Sequence, residues 1–195
     1  MNFFISDCHI GHENAIRFDN RPFKNLSDMW MTIKANWNAR VKSTDTVYIL
    51  GDFIWHKEQD WAYYLEQLNG RKVLIRGNHD PKEFSRSTRS LFVDIRERME
   101  ITDNGRHVIM DHYPLPCFKG DYSSETYMLY GHVHNTREAE YTRTFRDYIR
   151  SKCCGAKGEP LGQFLHVGCM EPYMDYTPRT LDEIIQGDAE YYPMR

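Results

Sequence analysis

Three short apolar runs, Phe3 to Ile5, Thr46 to Leu50 and Lys72 to Arg76, constrain this chain more than any other feature. Each reads as a buried strand, and each gives way within a few residues to an acidic side chain: Asp7, Asp52 and Asp80. Between them lie two segments of helical period. Trp30, Ile33, Trp37 and Val41 recur at spacings of three and four behind Ser27, the expected N-cap. Trp61, Tyr64, Leu65 and Leu68 repeat the pattern ahead of Asn69-Gly70, a helix stop. Strands alternating with helices predict a layered α/β domain.

The second half is patterned differently. Asp103-Asn104-Gly105 sits between two strand-like runs, Glu97 to Thr102 and Arg106 to Asp111, and so predicts a hairpin. Tyr127 to Tyr130 and Phe164 to Val167 are further short strands, and Leu181 to Gln186 a short terminal helix capped by Thr180. Residues 135–162 follow neither period. They carry Arg137, Arg143, Arg146, Arg150, Lys152 and Lys157, and read as an irregular excursion whose basic residues form a solvated loop or line a substrate entrance. No repeat or linker divides the chain, so its 195 residues are expected to form one domain.

A net charge of −3 gives no global pull toward nucleic acid or an anionic membrane, so any anion must be caught locally. The five cysteines are odd in number and lack a C-x-x-C pair, which argues against a disulfide framework or a thiolate zinc site. A reducing, cytoplasmic location follows as the expectation, since the start MNFFISDCHI lacks a basic leader region. No run approaches the roughly 18 apolar residues of a membrane span.

The strand exits hold the chemistry. After the first run comes Asp7-Cys8-His9; after the second, Gly51-Asp52; after the third, Gly77-Asn78-His79-Asp80. After the hairpin comes His112, and after Tyr127 to Tyr130, Gly131-His132-Val133-His134. In an extended backbone residues two apart face one side, so Asp7 with His9, and His132 with His134, are expected to share a site while Cys8 turns into the core. The glycines at 51, 77 and 131 are expected to allow sharp turns. Open α/β sheets bind ligands at such carboxyl ends. Carboxylate, amide and imidazole donors suit manganese, iron or zinc, and there are too many for one ion; two ions sharing one carboxylate would use them all.

The ordered set Asp7-x-His9, Gly51-Asp52, Gly77-Asn78-His79-Asp80, His112 and Gly131-His132-x-His134 resembles the calcineurin-like metallophosphoesterases. Residues 6–23, SDCHIGHENAIRFDNRPF, and 166–184 are similar to a small bacterial and phage branch whose substrates are generally unassigned. The resemblance implies a four-layer α-β-β-α sandwich with two mixed sheets. It implies that Asp7, His9 and His134 bind a first divalent metal ion, that Asn78, His112 and His132 bind a second, and that Asp52 bridges them. Manganese is favoured, with iron, zinc or nickel as alternatives. The implied reaction is hydrolysis of a phosphomonoester or phosphodiester by a metal-bridging hydroxide, with His79 protonating the leaving oxygen and Asp80 orienting His79.

A small phosphorylated substrate is expected, with His12, Arg17 and Arg21 as candidates to contact its phosphate. His56 is read as a helix-start or surface residue, and His107 and His166 as structural or surface. A metal-dependent nuclease, prompted by the arginines of 135–162, and a non-catalytic scaffold are the alternatives; the oligomeric state stays open.

Overall fold

The structure is a computed structural model describing residues 1–57, 60–155, 158–159 and 161–193. The elements run β1 (Asn2–Ile5), α1 (Glu13–Phe18), α2 (Leu26–Arg40), β2 (Thr46–Ile49), α3 (Trp61–Leu65), β3 (Arg71–Ile75) and α4 (Arg86–Arg89). They continue with β4 (Phe92–Arg96), β5 (Arg98–Asp103), β6 (Arg106–Asp111), β7 (Thr126–Tyr130), α5 (Arg137–Lys152), β8 (Phe164–His166) and α6 (Leu181–Tyr191).

Two four-stranded sheets follow chain order, β1-β2-β3-β4 and β5-β6-β7-β8. Only the second is mixed along its strands, because the β5-β6 hairpin is antiparallel while β6, β7 and β8 are parallel. The first is parallel throughout, and its antiparallel component is the isolated pairing of Phe4 with Arg179. Asn104 and Gly105 form the hairpin turn at φ 48° and 84°, the two left-handed positions that an Asn-Gly pair supplies.

The period-2 pattern of the second sheet sorts its two faces. Val108, Met110, Tyr127, Leu129 and Leu165 join the main core, toward the face of the first sheet that carries Asn2, bonded to Asp103 of β5, and Phe4, stacked on Tyr48. Ile109, Met128, Tyr130 and Phe164 turn outward and pack with Ala139 of α5. Met29, Trp30, Ile33 and Trp37 of α2 cover the first sheet from its other side, the face of Phe3, over whose ring Arg40 of the same helix lies at 5.9 Å. The layers therefore run helix, sheet, sheet, helix, as expected. Trp37 and Trp61 are fully buried, and truncating either to alanine would cost about 3–5 kcal/mol.

Several local expectations are corrected. The cap of α2 is Asn25, whose side chain accepts from the Asp28 N–H at 2.9 Å, two residues before Ser27. α6 runs past the expected end at Gln186 to Tyr191 and opens with a Thr180–Glu183 capping box. The 135–162 segment is no irregular excursion: it is mostly α5, capped by Thr136. It hides from a periodicity search because its buried positions are Ala139 and Arg146, not an apolar stripe. Arg146 can be buried because Asp188 of α6 pairs with it, and Arg150 reaches the same carboxylate at 3.3 Å. Lys157 lies outside the described residues. Among them, no helix is long and apolar enough to cross a membrane.

Candidate metal centre

Parallel strands β1, β2, β3, β6 and β7 present their carboxyl ends on one side, and the loops beyond them stay hydrogen-bonded together. Asp7 N–H donates to the Gly51 carbonyl and His9 N–H to the Asp52 carbonyl, each at 3.0 Å, so the first two exits keep register after the sheet ends. Gly131 N–H likewise holds the His112 carbonyl at 3.0 Å. Ser6 joins the sheets, donating to Val167 O at 2.8 Å and accepting from Cys169 N at 2.9 Å.

Asp7 and His9 meet in one ligand group, but not through extended backbone, while His134 joins that group and His132 turns to Asn78 instead. Asp7, His9, Asp52, His132 and His134 have φ of 54°, 47°, 51°, 71° and 45°, all left-handed. Among the described residues these are five of nine non-glycine positions with positive φ, each costing of order 1–3 kcal/mol. Cys8, between two of them, is fully buried in the core. Gly51 itself turns at φ 84°. Gly77 and Gly131 serve close approach instead: a Cβ would stand 2.2 Å from Asp52 Oδ1 at the one and 2.6 Å from Asp7 Oδ2 at the other.

The ligating atoms converge in two groups that share Asp7. Asp7, His9 and His134 form one, and Asp7, Asp52 and His112 the other, each with its donor atoms within 4.8 Å of one another. His9 Nε2 lies 3.1 Å from His134 Nε2, and His134 Nε2 lies 3.7 Å from Asp7 Oδ1. Asp52 Oδ2 is 3.6 Å from both His9 Nε2 and His112 Nε2. Asn78 Oδ1 meets His112 Nε2 at 2.9 Å and His132 Nδ1 at 3.0 Å.

Protonation shows that this set fits cations. His112 Nδ1 faces the Leu50 carbonyl at 2.8 Å, an acceptor only, so its proton sits there and Nε2 turns a lone pair toward Asp52 and Asn78. His134 Nδ1 faces the Asp19 carboxylate at 3.0 Å, which orients its Nε2 in the same way. Burial drives the His9 imidazole down to about 3, leaving it neutral at physiological pH. Burial pushes the Asp7 carboxyl up, yet His134, His112, His166 and His9 together outweigh it and hold Asp7 at about 2. Burial raises Asp52, against the pull of His112. Burial lowers the His134 imidazole, yet Asp19 and Asp7 outweigh it and raise it, so a divalent ion entering beside His9 and Asp7 would replace the proton these carboxylates draw onto it.

Asp7 is also locked by its surroundings: Ser6 Oγ donates to Oδ2 at 2.6 Å and the His132 N–H donates at 3.0 Å.

The remaining candidates divide. The His79 ring lies at the mouth, 5.9 Å from the His9 ring and 4.6 Å from Trp55, while the His79 backbone N–H donates to Asp52 Oδ1 at 2.9 Å. Asp80 does not act as the expected orienter of the His79 ring. Its carboxylate accepts from the backbone N–H groups of Gly77, Asp52 and Phe53 at 2.8, 3.0 and 3.1 Å, tying the β3 exit to the β2 exit. Burial pushes that carboxyl up to about 6.

Arg21, expected at the substrate phosphate, is buried beneath the site. It donates to the carbonyls of Asp7 at 2.8 Å and Cys8 at 2.7 Å and pairs with Asp19 at 2.7 Å. Arg17 is exposed and pairs with Glu13 one turn away at 3.0 Å. His12 stacks on Trp55 with centroids 3.9 Å apart, at the rim. His56 is an exposed partner of Tyr64, and His107 pairs with Glu100.

Sequence reasoning missed Asp19 behind His134, the Arg21 anchor, and His166. His166 is buried, with Nδ1 2.6 Å from Glu171, and Nε2 unpartnered 4.0 Å from Asp7 Oδ2. The rule that strand exits carry metal-capable side chains would have flagged it, since it ends β8.

The model of the calcineurin-like phosphoesterases matches residues 3–184. The chain belongs to this family. The family is metal-dependent, and membership makes this phosphoesterase domain a hydrolase by class. An uncharacterized protein of Methanocaldococcus jannaschii is 36% identical over 142 residues, covering 71% of this chain and 72% of that one. The gene 66 protein of Mycobacterium phage L5 is 28% identical over 163 residues, covering 68% and 77%. A crystal structure of a protein of unknown function from Aquifex aeolicus superposes with a TM-score of 0.63 at 27% identity, covering 95% of this chain and 98% of that one.

Proposed function

We propose that this domain is a dinuclear-metal-dependent phosphoesterase acting on a small phosphomonoester or phosphodiester. The observation that carries the reading is Asp52 Oδ2, equidistant at 3.6 Å from His9 Nε2 and His112 Nε2, so that one carboxylate oxygen stands between a histidine assigned to each ion. Asp7, His9 and His134 would hold one ion, and Asn78, His112 and His132 the other. Two divalent ions there would supply a hydroxide nucleophile near neutral pH and offset charge on the phosphate oxygens. The mixed carboxylate, amide and imidazole donors favour manganese, with iron, zinc or nickel as alternatives.

The chain's own residues do the rest. His79 is not drawn into either ligand group, so its imidazole is available to protonate the leaving oxygen. The His79 backbone N–H on Asp52 Oδ1 ties the loop that carries this imidazole to the Asp52 carboxylate. Asp80 acts one step further out, holding the two loops that carry Asp52 and His79 at a constant separation.

The alternatives lose ground. Arg143, Arg146 and Arg150, on which the nuclease reading leaned, are drawn toward Glu171, Asp147 and Asp188. A scaffold has no need of five left-handed ligand residues.

The test is hydrolysis of p-nitrophenyl phosphate and bis(p-nitrophenyl) phosphate by metal-stripped protein with each ion restored. Turnover that needs a metal and falls in Asp52→Asn supports the reading. Protein shown to be metal-loaded and silent on both esters overturns it.

A further inference from the structure

The chain has four tryptophans and ten phenylalanines, and nearly all are covered. Trp30, Trp37 and Trp61 are buried, whereas Trp55 stands 38% exposed. Phe18, at 52%, is the one exposed phenylalanine among the described residues. Both sit on the histidines of the metal centre. Phe18 lies edge-on to His134 at 5.3 Å and to His9 at 6.4 Å. Trp55 stacks on His12 at 3.9 Å and reaches His79 at 4.6 Å. On the opposite side Tyr113, 46% exposed, lies 4.5 Å from His132. Tyr63, Tyr122, Tyr141, Tyr148 and Tyr191 are exposed elsewhere on the surface, but the exposed tryptophan and the exposed phenylalanine meet at this one opening, a pairing that marks a surface a ligand covers.

The rim is also short of cations. Arg21 is buried on backbone carbonyls and Arg17 is turned to Glu13. A substrate gripped by several phosphate charges would call for guanidinium groups here; a flat ring calls for an indole and a phenyl. The position of Trp55 says which end of the ester it meets. Its ring packs against His79, the group placed to protonate the leaving oxygen, so the departing portion lies alongside the indole.

We propose that Trp55 and Phe18 form a stacking subsite for an aromatic ring on the leaving side of the ester. The preferred substrate class is then a small phosphoester bearing a nucleobase or aryl group, not a sugar or polyol phosphate. The proposal rests on the phosphoesterase reading for its chemistry and on the rim alone for its selectivity.

The experiment compares adenosine 5′-monophosphate with ribose 5-phosphate, each also as its methyl diester, on the manganese-loaded protein. The pairs share the reacting atoms and differ only in the base. A preference in kcat/KM of on the order of tenfold or more for the adenosine esters is expected, and it should shrink in Trp55→Leu and in Phe18→Leu. Equal kcat/KM for the two, or a preference that survives both substitutions, overturns the subsite. Tryptophan fluorescence gives a readout independent of turnover. Saturable quenching by adenosine 5′-monophosphate, absent with ribose 5-phosphate and lost in Trp55→Leu, supports the subsite even if neither ester is hydrolysed. In that event the phosphoesterase reading alone fails. No turnover and no quenching overturns the subsite as well.

Discussion

Replacing Arg21 with leucine removes a guanidinium that no solvent reaches and that binds Asp19, the Asp7 carbonyl and the Cys8 carbonyl. The buried Asp19 carboxylate loses its guanidinium and keeps only His134 at 3.0 Å, at a cost of about 3 kcal/mol, the lower end for a broken buried pair. The Asp7 carbonyl keeps the Cys169 thiol as a donor at 3.2 Å, while the Cys8 carbonyl loses its guanidinium, at about 1–3 kcal/mol. The leucine side chain recovers part of this through packing, so a net loss of about 4 kcal/mol is expected, a large share of the whole stability of many domains. At about 2–4 °C per kcal/mol for a chain of this size, the midpoint should fall by about 8–16 °C. Urea unfolding of metal-stripped protein, followed by far-ultraviolet circular dichroism, should show a lower midpoint at unchanged slope. Arg21→Lys should recover only part of the loss, since an ammonium cannot span three acceptors in one plane. Adding Asp19→Asn to Arg21→Leu should recover more by removing the stranded charge. An Arg21→Leu protein within about 1 kcal/mol of the parent, with only a raised KM for phosphoesters, would refute this and return Arg21 to the substrate.

His79→Ala should lower kcat on alkyl phosphoesters by roughly 10²–10⁴, and much less on p-nitrophenyl esters, whose leaving group needs no proton; unchanged metal content checks that the ligands are intact. Two groups of the metal-free protein withdraw stability as the pH falls, and Asp80, raised by burial from 3.8 to about 6, opposes them between those values. His9 titrates near 6.5 when unfolded and at about 3 when folded, so protons favour the unfolded chain as pH falls through that window, by about 5 kcal/mol in all. Asp7, at 3.8 unfolded and about 2 folded, stabilises the fold above that range and adds a further loss as pH falls through it. His9→Gln should flatten the upper limb in urea titrations at stepped pH, and an unchanged limb would contradict the burial of a neutral imidazole. Gly131→Ala drives a methyl to 2.6 Å from Asp7 Oδ2 and Ser6 Oγ, and should weaken metal binding by roughly 10- to 100-fold in a competition titration while leaving helix content unchanged.

Strand positions and the identity of the converging side chains were legible because each apolar run ends in a metal-capable residue, a signal that needs only local order. The direction of those side chains was legible for the wrong reason. Asp7 and His9 meet through two left-handed residues, and nothing in a period-2 pattern announces a left-handed aspartate. The α5 helix was hidden because its buried face is closed by an arginine whose partner, Asp188, lies 42 residues away. Arg21 and Asp80 misled for a shared reason: charged residues near a catalytic motif suggest substrate or proton work, but both are spent on backbone groups of the ligand loops. Such roles depend on burial and distance, which a single sequence does not display.

The central claim is two ions sharing Asp52, and metal stoichiometry tests it most directly. Purified protein, stripped, reloaded with manganese and freed of excess, would be assayed for metal per chain by inductively coupled plasma mass spectrometry, beside a His112→Ala, His132→Ala double variant. Two ions per chain in the parent and one in the variant is the result expected. A single ion in the parent, or two retained in the variant, would contradict the shared-carboxylate centre.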